Sequence, residues 1–402
     1  MNRAESVQGK AITILFFIAM YCLLAGGIYW SLTQHVSGAN DFFSRWKGAQ
    51  ALLFRGENPY ADQVTREIQL EMYGRLALLE EDQVAFAYPL YTAFAIFPLT
   101  VLPYSQVQAL WMAGLIVAVI GGTFALLRVY AVPIRPLTLG LVLLGVMIFY
   151  PTARGVFLGQ FALVSFSLLA LALLAVQSKQ DVAAGILLGF SMVKPQPAIL
   201  LVLVIVVWAF AHDRRKIAMT TIATLVTLIV AGLSIVSTWL FDFLNAVFRY
   251  SEYQRVGAPA QTLAEWLVPS AWFPLTLIII FVLIVWLART VVSTLNQSWD
   301  NFQSMIGLTA LVTTWIAGRV GTPDQILLLM PWLFWLSLWL RAKHYALALI
   351  AAIIVLFVPW QIFAATLVGN AEHVSVTLVL PGLTLITCAA WQLALKRSLR
   401  NA

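Results

Sequence analysis

Long uncharged stretches recur along the chain, separated by short polar or basic breaks. They cover residues 11–32, 104–127, 136–153, 155–178, 217–241, 266–288, 302–318, 325–340, 345–371 and 374–395. Each is long enough for an α-helix to cross a bilayer. Two further apolar regions are harder to read. Residues 86–103 are interrupted by Pro89, Pro98 and Pro103, and residues 182–211 by Lys194-Pro195-Gln196-Pro197, which kinks or breaks a helix. The second region is one bent span or two half-length helices. Taking it as a single broken span, with 86–103 crossing once, predicts about twelve crossings. That choice leaves Arg128 and Arg135 on the outer side, against the positive-inside rule.

The pattern changes over residues 33–85, the longest polar region. Phe42, Trp46, Ala49 and Leu53 fall at the spacing of one helix face, with Arg45, Lys47 and Arg55 between them. This predicts a helix lying in the membrane interface. Asn40 or Asp41 suits its N-terminus as a cap, and Asp62 suits the cap of a second helix running to Glu80. Asn58-Pro59-Tyr60 reads as the turn between them. A long loop in a compact protein is functional or disordered, and this one has aromatic anchors and no disorder composition.

Composition supports the membrane reading. Of 402 residues 61% are hydrophobic and only 10% charged, where soluble domains carry about 25%. The fold class expected is all-α, a single polytopic integral membrane domain over 1–402, with external loops at 33–85 and 241–265. Residues 11–32 read as a retained signal-anchor. The net charge of +7 is scattered between apolar segments, so no nucleic-acid partner is expected. Cys22 and Cys388 lie inside apolar runs and offer neither a disulfide framework nor a metal cluster. Basic residues at 212–216, Arg341, Lys343 and 396–400 mark the cytoplasmic side, which puts both termini in the cytoplasm of a multi-pass cell-membrane protein. No phosphate loop and no strand followed by GxGxxG is present, so a transferred group would have to arrive through the membrane.

Few residues stand out as chemistry. A lysine inside thirty-odd apolar residues costs about 2.5–3.5 kcal/mol on insertion scales, so Lys194 is a functional candidate unless it snorkels to a surface. Gln196 lies beside it. Arg154 and Gly159-Gln160 stand between apolar segments, as a topological marker or an anion contact. Arg319 and Asp324 flank Gly321-Thr322-Pro323, an ordinary helix start with Thr322 as cap. Tyr88-Pro89 reads as a helix start with an interfacial tyrosine. His35, His212, His344 and His373 lack metal-ligand spacing.

Together these pieces resemble glycosyltransferase family 87, polytopic GT-C enzymes that include polyprenyl-phosphate-mannose-dependent mannosyltransferases. The resemblance is carried by Asp41-Phe42 with Trp46, Gly56-Glu57-Asn58-Pro59-Tyr60, Tyr88-Pro89, Gly159-Gln160, Lys194-Pro195-Gln196-Pro197 and Thr322-Pro323-Asp324-Gln325. It implies a GT-C-type bundle and an acidic residue of the first external loop as catalytic base, matched here by Asp41. No Asp-x-Asp surrounds Asp41, and Tyr88-Pro89-Leu90 lacks a second proline.

The chemistry can be stated on its own. Sugar transfer from a lipid phosphate runs through an oxocarbenium-like transition state and needs a base for the acceptor hydroxyl and cations for the departing phosphate. The expected function is sugar transfer, with mannose, from a polyprenyl-phosphate carrier to a lipid or glycan acceptor at the outer face of the membrane. Asp41 is the expected base, and Lys194, Arg154 and Arg319, in that order, are the phosphate contacts. Gln196, Gln160, Asp324, Trp46 and Tyr60 complete the expected substrate site. No cofactor beyond the lipid-linked donor is expected. A secondary transporter or lipid flippase, broken at Lys194, is the rival reading.

Overall fold

The computed structural model describes residues 3–36, 38–79, 81–133, 135–253, 257–318, 321–367 and 372–400. Among them all regular structure is helical. Helix α1 (Arg3–Ile28) ends in a π-helical turn and leads to α2 (Asn40–Arg55), α3 (Asp62–Tyr73), a five-residue α4 (Thr92–Ile96) and α5 (Tyr104–Val129). Next, α6 (Pro136–Ile148) and α7 (Tyr150–Leu158) meet at a 59° bend. They are followed by α8 (Ala162–Gln177), α9 (Asp181–Ser191), α10 (Pro195–Ala211) and α11 (Arg215–Ile235). After α12 (Trp239–Tyr253) and α13 (Pro259–Leu267) come α14 (Trp272–Thr294) and α15 (Trp299–Ile316). A 3-10 run (Thr322–Leu328) feeds α16 (Leu329–Arg341), and α17 (Tyr345–Thr366) and α18 (Val374–Arg400) close the chain.

By length and composition seven of these helices can cross a membrane, or eight with the bent α6–α7 pair counted as one, while α8, α9 and α10 are shorter apolar helices. Ile14, Phe16 and Phe17 on α1, Met219 on α11, Phe281 on α14 and Ile350 on α17 are exposed. An apolar girdle of that extent suits lipid and not water. Behind it Phe166, Leu169, Leu188, Ile205 and Leu311 are fully buried or nearly so.

Contacts between helices fix their directions. Trp111 meets Gly159, Gly122 faces Ser167, and the Gln177 amide donates to the Val129 carbonyl, so α5 and α8 run parallel. Ser165 donates to the Ser191 carbonyl, which makes α9 antiparallel to α8. Gly185 lies against Thr220 and Gly189 against Thr224, which makes α11 parallel to α9. The link between α10 and its neighbours decides the difficult region. Arg214, just past the end of α10, donates to Asp181 at the start of α9 over 2.5 Å.

Both ends of 182–211 therefore lie at the same end of the bundle. The segment is a helical hairpin with Met192-Val193-Lys194 at its tip, not the single broken span predicted. Pro195 and Pro197 can start a helix but cannot continue one, which places the reversal there. The other difficult region is corrected as well. Residues 86–103 hold only α4 and a 3-10 turn, Phe97–Leu99, because the prolines keep breaking the helix.

The passes through the bundle are then α1, α5, α6–α7, α8, α9, α10, α11, α14, α15, the 3-10/α16 unit, α17 and α18. This path has seven helices, or eight with the bent pair, of membrane-spanning length and composition, where about twelve crossings were expected. It also brings Arg128 to the same end as Lys179, Arg214 and Arg341, removing the conflict with positive-inside charge. The opposite end carries α2, α3, the 81–91 segment and α12. Of these, α2, the 81–91 segment and α12 pack on a second core around Phe42, Trp46, Phe86, Leu90, Phe161 and Trp239, while α3 packs through Val64 and Ile68 on a smaller one with Ala51 and Val84.

Candidate functional site

Helix α2 begins where α7 ends. Gly159, at φ +74°, closes α7 with the Gly159 and Gln160 amides bonded to the Val156 and Gly155 carbonyls. This is a Schellman end, and it needs a left-handed residue. A Cβ on Gly159 would stand 2.7 Å from the Phe42 Cβ and 2.9 Å from the Ala39 Cβ, so only glycine lets the two helices meet. Ala39 takes the cap position of α2 in left-handed conformation, its amide bonded to the Phe157 carbonyl and its carbonyl to the Tyr104 hydroxyl. Phe42 stacks on Trp111 at 4.3 Å.

Neither Asn40 nor Asp41 caps α2: no side-chain cap bond is present, and Asp41 Oδ2 accepts a hydrogen bond from Gln160 Nε2. The same holds for Asp62, which pairs with Arg249, and for Thr322, whose hydroxyl donates to Glu372. In each case a tertiary partner outcompetes the local backbone. α3 also ends at Tyr73, well short of the 80 predicted. The Asn58-Pro59-Tyr60 turn forms as expected, with Asn58 Oδ1 accepting from the Tyr60 amide.

From Asp41 a chain of polar contacts runs into the bundle. Gln160 Oε1 accepts from Lys194 Nζ at 3.0 Å and from the Tyr88 hydroxyl at 3.3 Å. Lys194 Nζ in turn lies 2.8 Å from the Asp324 carboxylate. Lys194 precedes α10 at the hairpin tip and is 7% exposed, so it does not snorkel to a surface. Asp324 lies in the fully buried 3-10 run. Seven residues is long for a 3-10 helix, and this one leads directly into α16. A second pair joins Arg154 Nε to Glu372 at 2.6 Å, and Glu372 also accepts from the Tyr150 and Thr322 hydroxyls.

These groups surround a cavity of about 350 Å³. Asp41, Arg45, Asp82, Tyr88, Arg154, Gln160, Lys194, Gln196 and Glu372 line it, with Val247 and Tyr250 of α12 along one side. Burial raises the Asp82 carboxyl above the usual range and the Asp41 charge adds to this, against the Val84 amide and Arg45, which lower it. Carboxylates and cations thus share one polar pocket. That arrangement can take a proton at one edge and hold an anion at another.

Of the residues singled out in the sequence, Asp41, Arg154, Gln160, Lys194 and Gln196 are brought together here. Asp324 stands behind Lys194 and shapes the site from outside the cavity wall. Trp46 and Tyr60 do not line it. Trp46 is buried against Tyr104 and donates to the Leu99 carbonyl, and the Tyr60 hydroxyl donates to the Tyr88 carbonyl. Both support the walls. Arg319 lies outside the described residues.

Arg45, Asp82, Tyr88 and Glu372 were missed as site residues. Arg45 had a legible signal, since it follows Asp41 by four residues on a helix and so shares its face. Asp82 and Glu372 had none, being brought in by tertiary folding alone. Among the described residues no group of three or more His, Cys, Asp or Glu side chains is placed to hold a metal ion.

No curated protein matches the chain. Residues 86–317, more than half of it, match glycosyltransferase family 87. The matched stretch contains Tyr88, Arg154, Gln160, Lys194 and Gln196, and it stops short of Asp41 on one side and of Asp324 and Glu372 on the other. An all-helical membrane bundle with a polar cavity, about half of its lining drawn from that stretch, makes the chain a membrane glycosyltransferase belonging to glycosyltransferase family 87.

Proposed function

We propose that the protein transfers mannose from a polyprenyl-phosphate carrier to a lipid or glycan acceptor at the outer face of the cytoplasmic membrane. Asp41 is the general base. The observation that carries this reading is the placement of Asp41 on the wall of a cavity that also holds three basic side chains. Gln160 fixes Asp41 Oδ2, and Oδ1 carries no hydrogen bond among the described residues. That oxygen is available to the acceptor hydroxyl.

In the step itself the acceptor oxygen bonds to the anomeric carbon while the bond from that carbon to phosphate oxygen breaks. The electron pair leaves with the phosphate, and the hydroxyl proton passes to Asp41. Basic side chains on the wall stabilise the phosphate as charge gathers on it. The clustering of Arg128, Lys179, Arg214 and Arg341 at the far end supports a cytoplasmic assignment for that end and for both termini, and an outer one for the cavity. The transporter or flippase reading loses its support, because the buried Lys194 is explained by its ion pair with Asp324 in a glycosyltransferase bundle.

The test is mannose transfer from polyprenyl-phosphate-mannose by purified Asp41→Asn protein, with thermal stability measured in parallel. Asparagine keeps a partner for Gln160 but cannot take the proton. Transfer is expected to fall by about 10²–10⁴-fold at unchanged stability. Transfer at the wild-type rate would remove Asp41 from the mechanism.

A further inference from the structure

We propose that Arg45 is the residue that receives the carrier phosphate, as a guanidinium clamp on the phosphomonoester left when the sugar departs. This rests on the donor reading above and deepens it. The sequence had placed Lys194 and Arg154 first for this role. Each of them is already neutralised: Lys194 by Asp324 at 2.8 Å and Arg154 by Glu372 at 2.6 Å.

Arg45 differs. It is 8% exposed, lines the cavity, and forms no ion pair among the described residues. Its Nη1 donates to two neutral oxygens, the Asp41 carbonyl at 2.6 Å and Ser44 Oγ at 2.5 Å. Among the described residues its Nε is buried without a partner and Nη2 makes no hydrogen bond. A nearly buried guanidinium with two idle nitrogens is costly, because its charge is withdrawn from water and meets the Asp82 carboxylate only at a distance, with no anion in direct contact among the described residues. The guanidinium carbon lies over the Tyr88 ring, 4.4 Å from its centre, which holds the group at the wall.

The reaction supplies the missing anion. The donor phosphodiester carries one negative charge, and the product monoester carries about 1.5 to 2 at neutral pH. The added charge calls for a cation that is not already paired. A planar fork also fits two phosphate oxygens at once, which an ammonium cannot do. Helix geometry joins the two roles, since Asp41 and Arg45 are four residues apart on α2 and face the same cavity. Proton acceptor and phosphate clamp would then move as one rigid unit.

The experiment compares binding of polyprenyl phosphate and of the unphosphorylated polyprenol to full-length protein in nanodiscs. For wild type, polyprenyl phosphate is expected to bind more tightly. Arg45→Gln should weaken polyprenyl phosphate by roughly 30-fold or more and leave polyprenol unchanged. Wild-type affinity for polyprenyl phosphate in Arg45→Gln would overturn the assignment while leaving the donor reading intact. Equal binding of both lipids by wild type would overturn the two together. If Arg45→Gln does not fold, Arg45→Lys decides. It keeps the charge and loses the fork, so it should still favour polyprenyl phosphate but by several-fold less, and an unchanged preference would overturn the clamp.

Discussion

Lys194 and Asp324 illustrate how a residue can look catalytic in a sequence and prove to be half of a pair. Neither could remain charged alone at 7% and 4% exposure. Together they tie the hairpin tip to the 3-10 run, and through Gln160 to Asp41. Breaking a buried pair from one side commonly costs about 3–5 kcal/mol, because the abandoned charge has nowhere to go. Lys194→Met is therefore expected to destabilise the protein by that amount, read from unfolding in detergent. Adding Asp324→Asn should recover most of the loss by removing the stranded carboxylate. An unchanged midpoint for Lys194→Met alone would show that Lys194 is not a desolvated partner. Only the double variant then gives a clean measure of what the lysine does for donor affinity.

Helix α2 carries the proposed chemistry, but its position is set by the end of α7. The two meet at Gly159, where both φ and the lack of a Cβ matter. Gly56, at the end of α2, provides the comparison: its φ is +66°, and a Cβ there would meet nothing within 4 Å. Gly56→Ala should cost about 1 kcal/mol of backbone strain and leave transfer intact. Gly159→Ala should cost more than that and also depress transfer, because the Ala39–Phe42 turn must retreat and carry Asp41 away from Gln160. Thermal stability and transfer assays on the two variants check this. Equal behaviour would show that the close approach does not position α2.

Across the bundle, the hairpin of α9 and α10 makes the arrangement of ends testable. With Cys22 and Cys388 replaced, single cysteines at Ser178, Arg215 and Glu67 should divide into two classes under a membrane-impermeant thiol reagent. Ser178 and Arg215 are both expected to react only after permeabilisation, since α9 leaves and α10 returns to the same end. Glu67, in α3 at the cavity end, should react on intact cells. Opposite accessibility of Ser178 and Arg215 would restore the single broken span and dissolve the hairpin. Reaction of Glu67 only after permeabilisation would invert the whole molecule and with it the proposed outer-face donor.

Much of this protein was written in its hydrophobic pattern. Uncharged runs near 20 residues can only be helices in a bilayer, since hydrocarbon offers backbone groups no partner, so the all-α bundle and most of its spans were legible. So was the amphipathic α2, where Phe42, Trp46 and Ala49 are buried as their spacing demands, although Leu53 stays exposed. The motifs that resemble family 87 lay in short local stretches, and four of the residues picked from them, Asp41, Gln160, Lys194 and Gln196, converge on one cavity. What the pattern could not decide was direction. A run of apolar residues reads the same whether it continues past a proline or folds back, and the Asp181–Arg214 contact that settles 182–211 spans 33 positions. Charge pairing was equally hidden: Glu372 and Asp324 find Arg154 and Lys194 across separations of 218 and 130 residues. Hydrophobicity acts residue by residue and survives in the sequence. Which cation keeps its charge free for a ligand depends on who stands beside it, and only the packed bundle sets that.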